Sequence, residues 1–384
     1  MRSIFLSFLV TFSLVASAQT PPNEPALARD LQEEIVRIPV TVKDLFGREE
    51  TRQIPITVFR PRGVGPFPVV VMNHGRPTPD KQAAMGRARF PHLSRYLVNK
   101  GFVVLVPTRV GYGENYGSFD PEESGPCNAR RPEPMSTAAS DQVLAAVAFA
   151  KTLSYADATR WVVMGVSVGG LTAVAAVYRN PPGLLGGVNF SGGSGGNPET
   201  SPGRPCSPQA LTYLWKTKAP GATRPMLWLY WRNDKYWGED IPKQWHQAWL
   251  AGGGLAEFHS LAEAGNDGHA GVGIDMEHWV PLVDSFLSQL GFTQPGVVAK
   301  PPPSAFAAVE DVNSVPTNKV NQEKWYPLFL QSKLPRAVAL GKNGSFGYAT
   351  GDWAVGKAMG FCQALRDDQC KLYAVDNDVV WVKE

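Results

Sequence analysis

The stretch that most constrains this chain is Trp161-Val162-Val163-Met164-Gly165-Val166-Ser167-Val168-Gly169-Gly170, followed by Leu171-Thr172-Ala173-Val174-Ala175-Ala176-Val177-Tyr178. The apolar run predicts a short buried strand, the glycines a sharp turn, and the alanine-rich run a helix. A serine at the apex of such a strand-turn-helix is held in strained backbone. Small neighbours let strand and helix close on each other, so the hydroxyl stands exposed at the sheet edge with a helix N-terminus behind it. Ser167 is therefore the candidate nucleophile. The chain carries a second G-x-S-x-G at Gly192-Gly193-Ser194-Gly195-Gly196, also after an apolar run, Gly187-Val188-Asn189-Phe190. There Asn197-Pro198 comes next and no helix can start in register, so Ser194 reads as part of a flexible loop.

Around this turn, apolar runs and helical stretches alternate. Glu34 to Lys43 and Thr51 to Arg60 alternate apolar and polar residues about Asp44-Leu45-Phe46-Gly47, an antiparallel hairpin at a sheet edge. Pro68 to Met72, Phe102 to Pro107, Gly187 to Phe190, Met226 to Trp231 and Glu257 to Leu261 read as further strands. Helices are expected over Phe90 to Asn99, Ser136 to Leu153, Pro242 to Ala251 and Asp275 to Leu290. This alternation predicts an α/β fold, a mainly parallel sheet with helices on both faces, over residues 19–292. A Pro-rich linker is expected over 293–325 and a small α+β module over 326–384.

A net charge of +3 over 384 residues, with no basic cluster interleaved with aromatics, argues against nucleic acid as a partner. Met1-Arg2-Ser3, the apolar Ile4 to Val15 and the small residues Ala16-Ser17-Ala18 have the pattern of a signal peptide over 1–18. The protein is thus expected to be exported, periplasmic or secreted, without stable membrane insertion after cleavage. In an oxidising compartment the four cysteines should form two disulfides, and neighbourhood pairs Cys127 with Cys206 and Cys362 with Cys370. The second would staple the small C-terminal module.

A serine nucleophile needs a base and the base an orienting acid. His269, in the Gly-rich loop Gly265 to Gly271 between the last strand and the last helix, is the favoured base, with His278 the alternative. Asp234 follows the strand Met226 to Trp231 directly and is the favoured acid, with Asp267 and Glu239 the alternatives. An oxyanion hole would use the backbone N–H of Val168 and, from the loop after the strand ending at Met72, that of Arg76. His74, Tyr112, Trp231, Tyr236 and Trp237 are candidate substrate contacts, with bracing of the loop the alternative for His74 and local packing for Trp231, Tyr236 and Trp237. Arg130 and Arg131 would either meet a substrate carboxylate or be solvated or paired structurally. No cofactor or metal is expected, and the oligomeric state is left open.

Pro68-Val69-Val70-Val71-Met72-Asn73-His74-Gly75, the turn Arg109 to Gly113, the sequence around Ser167, Asn233-Asp234 and Gly268-His269 together resemble the α/β-hydrolase superfamily, in its dienelactone hydrolase-like and prolyl-oligopeptidase-like members. The resemblance covers about residues 35 to 292 and implies a Ser-Asp-His triad acting on a small-molecule ester. Two departures bear on substrate. Dienelactone hydrolase proper has cysteine where this chain has Ser167, and the β-propeller that gates oligopeptidases is absent. The expectation is an exported serine hydrolase cleaving carboxylic esters through an acyl-enzyme. The alternatives are a peptidase or amidase, and a catalytically silent binding protein of the envelope.

Overall fold

The computed structural model describes residues 27–63, 65–292, 302–351, 354–364 and 370–382. The expected signal peptide and the first part of the expected linker, 293–301, lie outside the described residues.

An antiparallel hairpin, β1 (Glu34–Lys43) and β2 (Glu49–Phe59), opens the fold. Its turn is held by Asp44, whose carboxylate accepts the N–H groups of Phe46 and Arg48 at 2.9 Å each. There follow β3 (Phe67–Asn73), the short α1 (Pro79–Gln82), α2 (Pro91–Asn99), β4 (Val103–Pro107) and α3 (Pro132–Ala150). Next come β5 (Ala156–Val166), α4 (Val168–Tyr178), β6 (Leu184–Phe190), α5 (Pro208–Lys218), β7 (Met226–Trp231) and α6 (Asp240–Ala251). The large sheet closes with β8 (Ala256–Leu261), the single turn α7 (Gly271–Ile274) and α8 (Met276–Gln289).

These eight strands lie in the order β1-β2-β4-β3-β5-β6-β7-β8. β2 is antiparallel to β4, and β4 through β8 run parallel. The Val-rich strands explain the two covered faces. Val69 and Val71 of β3 pack into a cluster with α3 and α4, while Val70 and Met72 pack into another with α2 and α8. Side chains that alternate with period two and are apolar on both sides can only be satisfied between two layers of helices. Burying each stabilises the fold by roughly 1.5–3 kcal/mol. Because β3, β5, β7 and β8 are parallel, the loops after them emerge at one sheet edge, where the candidate site residues lie.

The helix α5, inside the second insert, was not anticipated. Its signal was present: Pro208 sits in the first turn, and Leu211, Leu214 and Trp215 are buried at helical spacing.

The C-terminal residues build a separate antiparallel sheet. It holds β9 (Arg336–Leu340), β10 (Phe346–Thr350), β11 (Lys371–Val375) and β12 (Asp378–Val379) in the order β10-β9-β11-β12, with helices α9 (Tyr326–Gln331) and α10 (Ala354–Ala364). β9 alternates Ala337 and Ala339 on one face with Val338 and Leu340 on the other. The alanine face lets α10 approach closely, so close that a Cβ on Gly347 would come within 2.2 Å of the Ala358 carbonyl. The stretch expected to be a linker differs from that reading from residue 302 onward. Val309 and Val315 are buried with Tyr326, Phe329 and Tyr373 on the other face of this sheet. Few, widely spaced apolar residues between prolines gave no periodicity, yet they are enough to cover a small sheet.

Both disulfides pair as neighbourhood implied: Cys127 with Cys206, and Cys362 with Cys370. No described helix is long and apolar enough to cross a membrane.

Candidate functional site

Ser167 lies between β5 and α4 with φ 57° and ψ −124°, a conformation that costs a non-glycine residue and survives only where its surroundings over-determine it. Three glycines do so. A Cβ on Gly165 would come within 2.0 Å of the Gly169 carbonyl oxygen, one on Gly169 within 2.1 Å of the Asn73 carbonyl oxygen, and one on Gly170 within 2.3 Å of Asn189 Oδ1. The backbone is tied as well: Ser167 N–H donates to Phe190 O at 3.0 Å, and Ser167 O accepts from Leu171 and Gly193 at 3.1 and 3.2 Å. The second G-x-S-x-G, around Ser194, has no helix behind it; its residues run along the cleft wall.

Asp234 and His269 come together although 35 residues apart. His269 Nδ1 lies 3.1 and 3.0 Å from the two oxygens of Asp234, whose side chain is fully buried. An ionised carboxylate only accepts, so Nδ1 carries the proton and Nε2 is the basic nitrogen. Asp234 Oδ1 also accepts the N–H groups of Tyr236 and Trp237, at 2.8 and 3.2 Å. The histidine loop is clipped to the end of β7 by Asn233, whose side chain bonds Ala264 N and Gly265 O at 3.0 Å each. Of the alternatives for the acid, Asp267 instead accepts the backbone N–H groups of His269 and Lys235, and Glu239 pairs with Lys243. The alternative base, His278, pairs with Asp275, and that hydrogen bond raises its pKa above 6.5. Among the described residues Ser167 Oγ has no hydrogen-bond partner, His269 included.

The loop after β3 is braced from behind. His74 is buried, its Nδ1–H donating to Gly75 O at 2.7 Å and its Nε2 accepting from Arg109 N–H at 3.1 Å. Burial, reinforced by the Arg109 charge, holds its pKa well below 6.5, so the ring is neutral and both bonds persist. Arg109, itself buried, is bound by Glu122 at 2.5 Å, and the Tyr112 hydroxyl donates to the same carboxylate at 2.5 Å. Arg76 reaches the network through Asp120 at 2.5 Å and the Tyr112 oxygen at 3.2 Å. Gly75 lies against Ser167, since a Cβ there would be 3.1 Å from Ser167 Cβ.

Ser167 opens into a cleft of about 580 Å³, lined among others by Arg76, Val168, Arg130, Met135, Tyr236 and Trp237. The two inserts form its outer wall, joined by the Cys127–Cys206 bond and by the Ser207 hydroxyl donating to Cys127 O at 2.6 Å. Arg130 enters this cleft with one bond to Ser124 Oγ at 2.6 Å and with a buried Nε that has no partner; Arg131 lines a different groove. That groove is larger, about 970 Å³, but holds none of Ser167, Asp234 or His269.

Three candidate substrate contacts are corrected by this placement. His74, Tyr112 and Trp231 stand behind the cleft wall and not on it, whereas Trp237 lines it. Trp231 is a floor for the histidine loop: its Nε1–H donates to Asp275 at 2.6 Å, and Cβ atoms on Gly268 and Gly271 would come within 2.5 and 2.2 Å of it. Tyr236, a candidate pocket residue beside Asp234, lines the cleft with Trp237. Sequence reasoning missed Asp120 and Glu122, because acids in an insert carry no local sign of the arginines they will meet. Among the described residues Asp275, Glu277 and His278 are close enough to share a cation, but Asp275 and His278 already bind each other.

The chain is similar to several solved structures. A Klebsiella pneumoniae protein described as a dienelactone hydrolase is 18% identical, with 68% of this chain and 99% of that one covered at a TM-score of 0.43. A Mycobacterium tuberculosis puromycin-hydrolysing peptidase is 18% identical over 67% of this chain and 39% of its own, TM-score 0.42. A Pyrococcus horikoshii acylaminoacyl peptidase is 14% identical over 70% and 43%, TM-score 0.46. The chain thus spans about two-fifths of each peptidase. No curated protein matches it by sequence. Residues 54–266, more than half of the 384, match the dienelactone hydrolase family, and the chain belongs to that family.

Proposed function

We propose that this protein is an exported serine hydrolase that cleaves carboxylic esters through an acyl-enzyme on Ser167. The observation that carries the reading is the Asp234–His269 pair, bonded at 3.0 Å and emerging at the same sheet edge as the strained Ser167. Family membership supports hydrolysis of an ester, and the two disulfides support export.

The chemistry follows from the groups in place. Ser167 Oγ attacks the ester carbonyl carbon as its proton passes to His269 Nε2, and the carbonyl π pair moves onto oxygen. Asp234 keeps Nδ1 protonated and stabilises the imidazolium. The Val168 N–H, at the start of α4, faces the developing oxyanion, and the Arg76 N–H is the second donor. Covalent geometry favours Arg76 as that donor. In a trans peptide C=O and N–H point in opposite directions, so His74 Nδ1–H, by drawing the Gly75 carbonyl inward, turns the Arg76 N–H outward towards the serine. Collapse expels the alcohol with the proton from Nε2, and water hydrolyses the acyl-serine by the same steps in reverse. The absent Ser167–His269 bond is consistent with this, since such contacts often tighten only in the substrate complex.

Ser167→Ala should abolish turnover of a short aryl ester by the mature protein, and full activity in that variant would sink the assignment.

A further inference from the structure

The imidazole of His269 is stacked. Tyr236 lies face-on to it, ring centroids 3.9 Å apart and planes 24° apart, while Trp237 meets it edge-on at 5.5 Å and 70°. The same carboxylate that binds Nδ1 places both rings, because Asp234 Oδ1 accepts the Tyr236 and Trp237 N–H groups. The Trp237 ring is backed by the glycine loop of the second G-x-S-x-G. A Cβ on Gly196 would come within 2.8 Å of that ring and 2.9 Å of the Tyr236 Cβ and backbone oxygen, and one on Gly193 within 2.8 Å of the Trp245 ring and 3.0 Å of the Trp237 ring. Those glycines let the chain pass the two tryptophan rings at contact distance. Tyr236 also lines the cleft into which Ser167 opens.

We propose that Tyr236 is a positioning residue for His269, its ring face fixing the plane of the imidazole and stabilising the imidazolium formed when Ser167 loses its proton. The proposal rests on the serine hydrolase reading above. An aromatic face is electron-rich and attracts a cation, but attracts a neutral imidazole much less. The stack therefore strengthens as the proton moves from Oγ to Nε2 and weakens when Nε2 passes it to the leaving alkoxide, which is a differential stabilisation of the charged step. The other ionisable groups about the ring are Asp234 at Nδ1, Asp267 on the backbone N–H of His269, and the Tyr236 hydroxyl, with Glu199 of the second insert beyond it. Burial, then the charges of Asp267, Asp234 and Glu199, raise the tyrosine pKa, so its ring stays neutral where the histidine works.

The test is the pH profile of kcat/KM on a neutral aryl acetate for the wild type, Tyr236→Phe, Tyr236→Leu and the protein with pentafluorophenylalanine at 236, beside Ser167→Ala. A ring face that favours the imidazolium over the neutral imidazole should show in the acidic limb of the profile. Removing the ring should move the acidic limb to lower pH by about half a unit or more and reduce kcat several-fold. Tyr236→Phe keeps the ring and should keep the limb. The pentafluoro ring keeps the shape with a reversed quadrupole, so it should behave as Leu does, and it carries the test if the leucine variant does not fold. An unmoved limb in the ring-altered proteins, with or without a lower kcat, overturns the proposal. Turnover surviving in Ser167→Ala overturns the underlying reading instead.

Discussion

Replacing His74 with leucine tests how the loop after β3 is held. The imidazole makes two buried bonds, to Gly75 O at 2.7 Å and from Arg109 N–H at 3.1 Å, and leucine makes neither. Each backbone group left buried and unpaired costs about 1–3 kcal/mol, so the two together should cost about 2–6 kcal/mol of stability, read as a lower urea midpoint with unchanged slope. The catalytic effect is separate. Without the pull on its carbonyl the Gly75–Arg76 peptide is free to turn, and losing one oxyanion donor costs about 10²–10³ in kcat with little change in KM. A pH signature accompanies it. The folded-state pKa of His74 lies well below 6.5, so between that depressed value and 6.5 the unfolded chain binds the extra proton. Stability should therefore fall as pH drops through this window, by about 1.4 kcal/mol per pH unit, and His74→Leu should lack that component of the slope. A folded His74→Leu protein with wild-type kcat would refute the argument that His74 orients the Arg76 N–H.

Asp234→Asn should lower kcat by about 10⁴, because an amide no longer fixes the imidazole tautomer; steady-state kinetics on an aryl ester checks it, and a loss under tenfold contradicts it. Gly169→Ala puts a Cβ 2.1 Å from the Asn73 carbonyl oxygen, so the variant should be insoluble or melt far below the wild type, whereas an unchanged Tm contradicts the close approach. Breaking the Cys127–Cys206 bond with the double Cys→Ser variant removes a cross-link of sequence separation 79 and should cost about 2–4 kcal/mol in denaturant. KM should also rise, since this bond joins the two halves of the cleft wall; an unchanged KM and urea midpoint would show that the inserts stand on their own.

The sheet was legible because its strands are buried on both faces, and runs such as Val69-Val70-Val71-Met72 admit few other readings. The turn at Ser167 was legible because Gly165, Gly169 and Gly170 leave no room for side chains. The pairing of Asp234 with His269 followed from topology, as parallel strands deliver the loops after β7 and β8 to one edge. Depth was not legible. Sequence puts His74, Tyr112 and Trp231 at strand ends but does not say on which side of the cleft wall their rings fall, and all three fell behind it. Nor does it say that Glu122 of an insert closes on Arg109 of a strand end, a contact decided by packing between distant segments. The same limit made residues 302–325 look like a linker, since Val309 and Val315 are buried by a sheet that comes later in the chain.

The central claim is that Ser167, and not Ser194, is the nucleophile of this fold. A fluorophosphonate reacts covalently with a serine activated by a neighbouring base, so peptide mapping of the labelled protein tests it most directly. The account predicts one modified peptide carrying the label on Ser167, with labelling lost in Ser167→Ala and strongly slowed in His269→Ala. Label on Ser194, or an unlabelled protein that still hydrolyses esters, would contradict it.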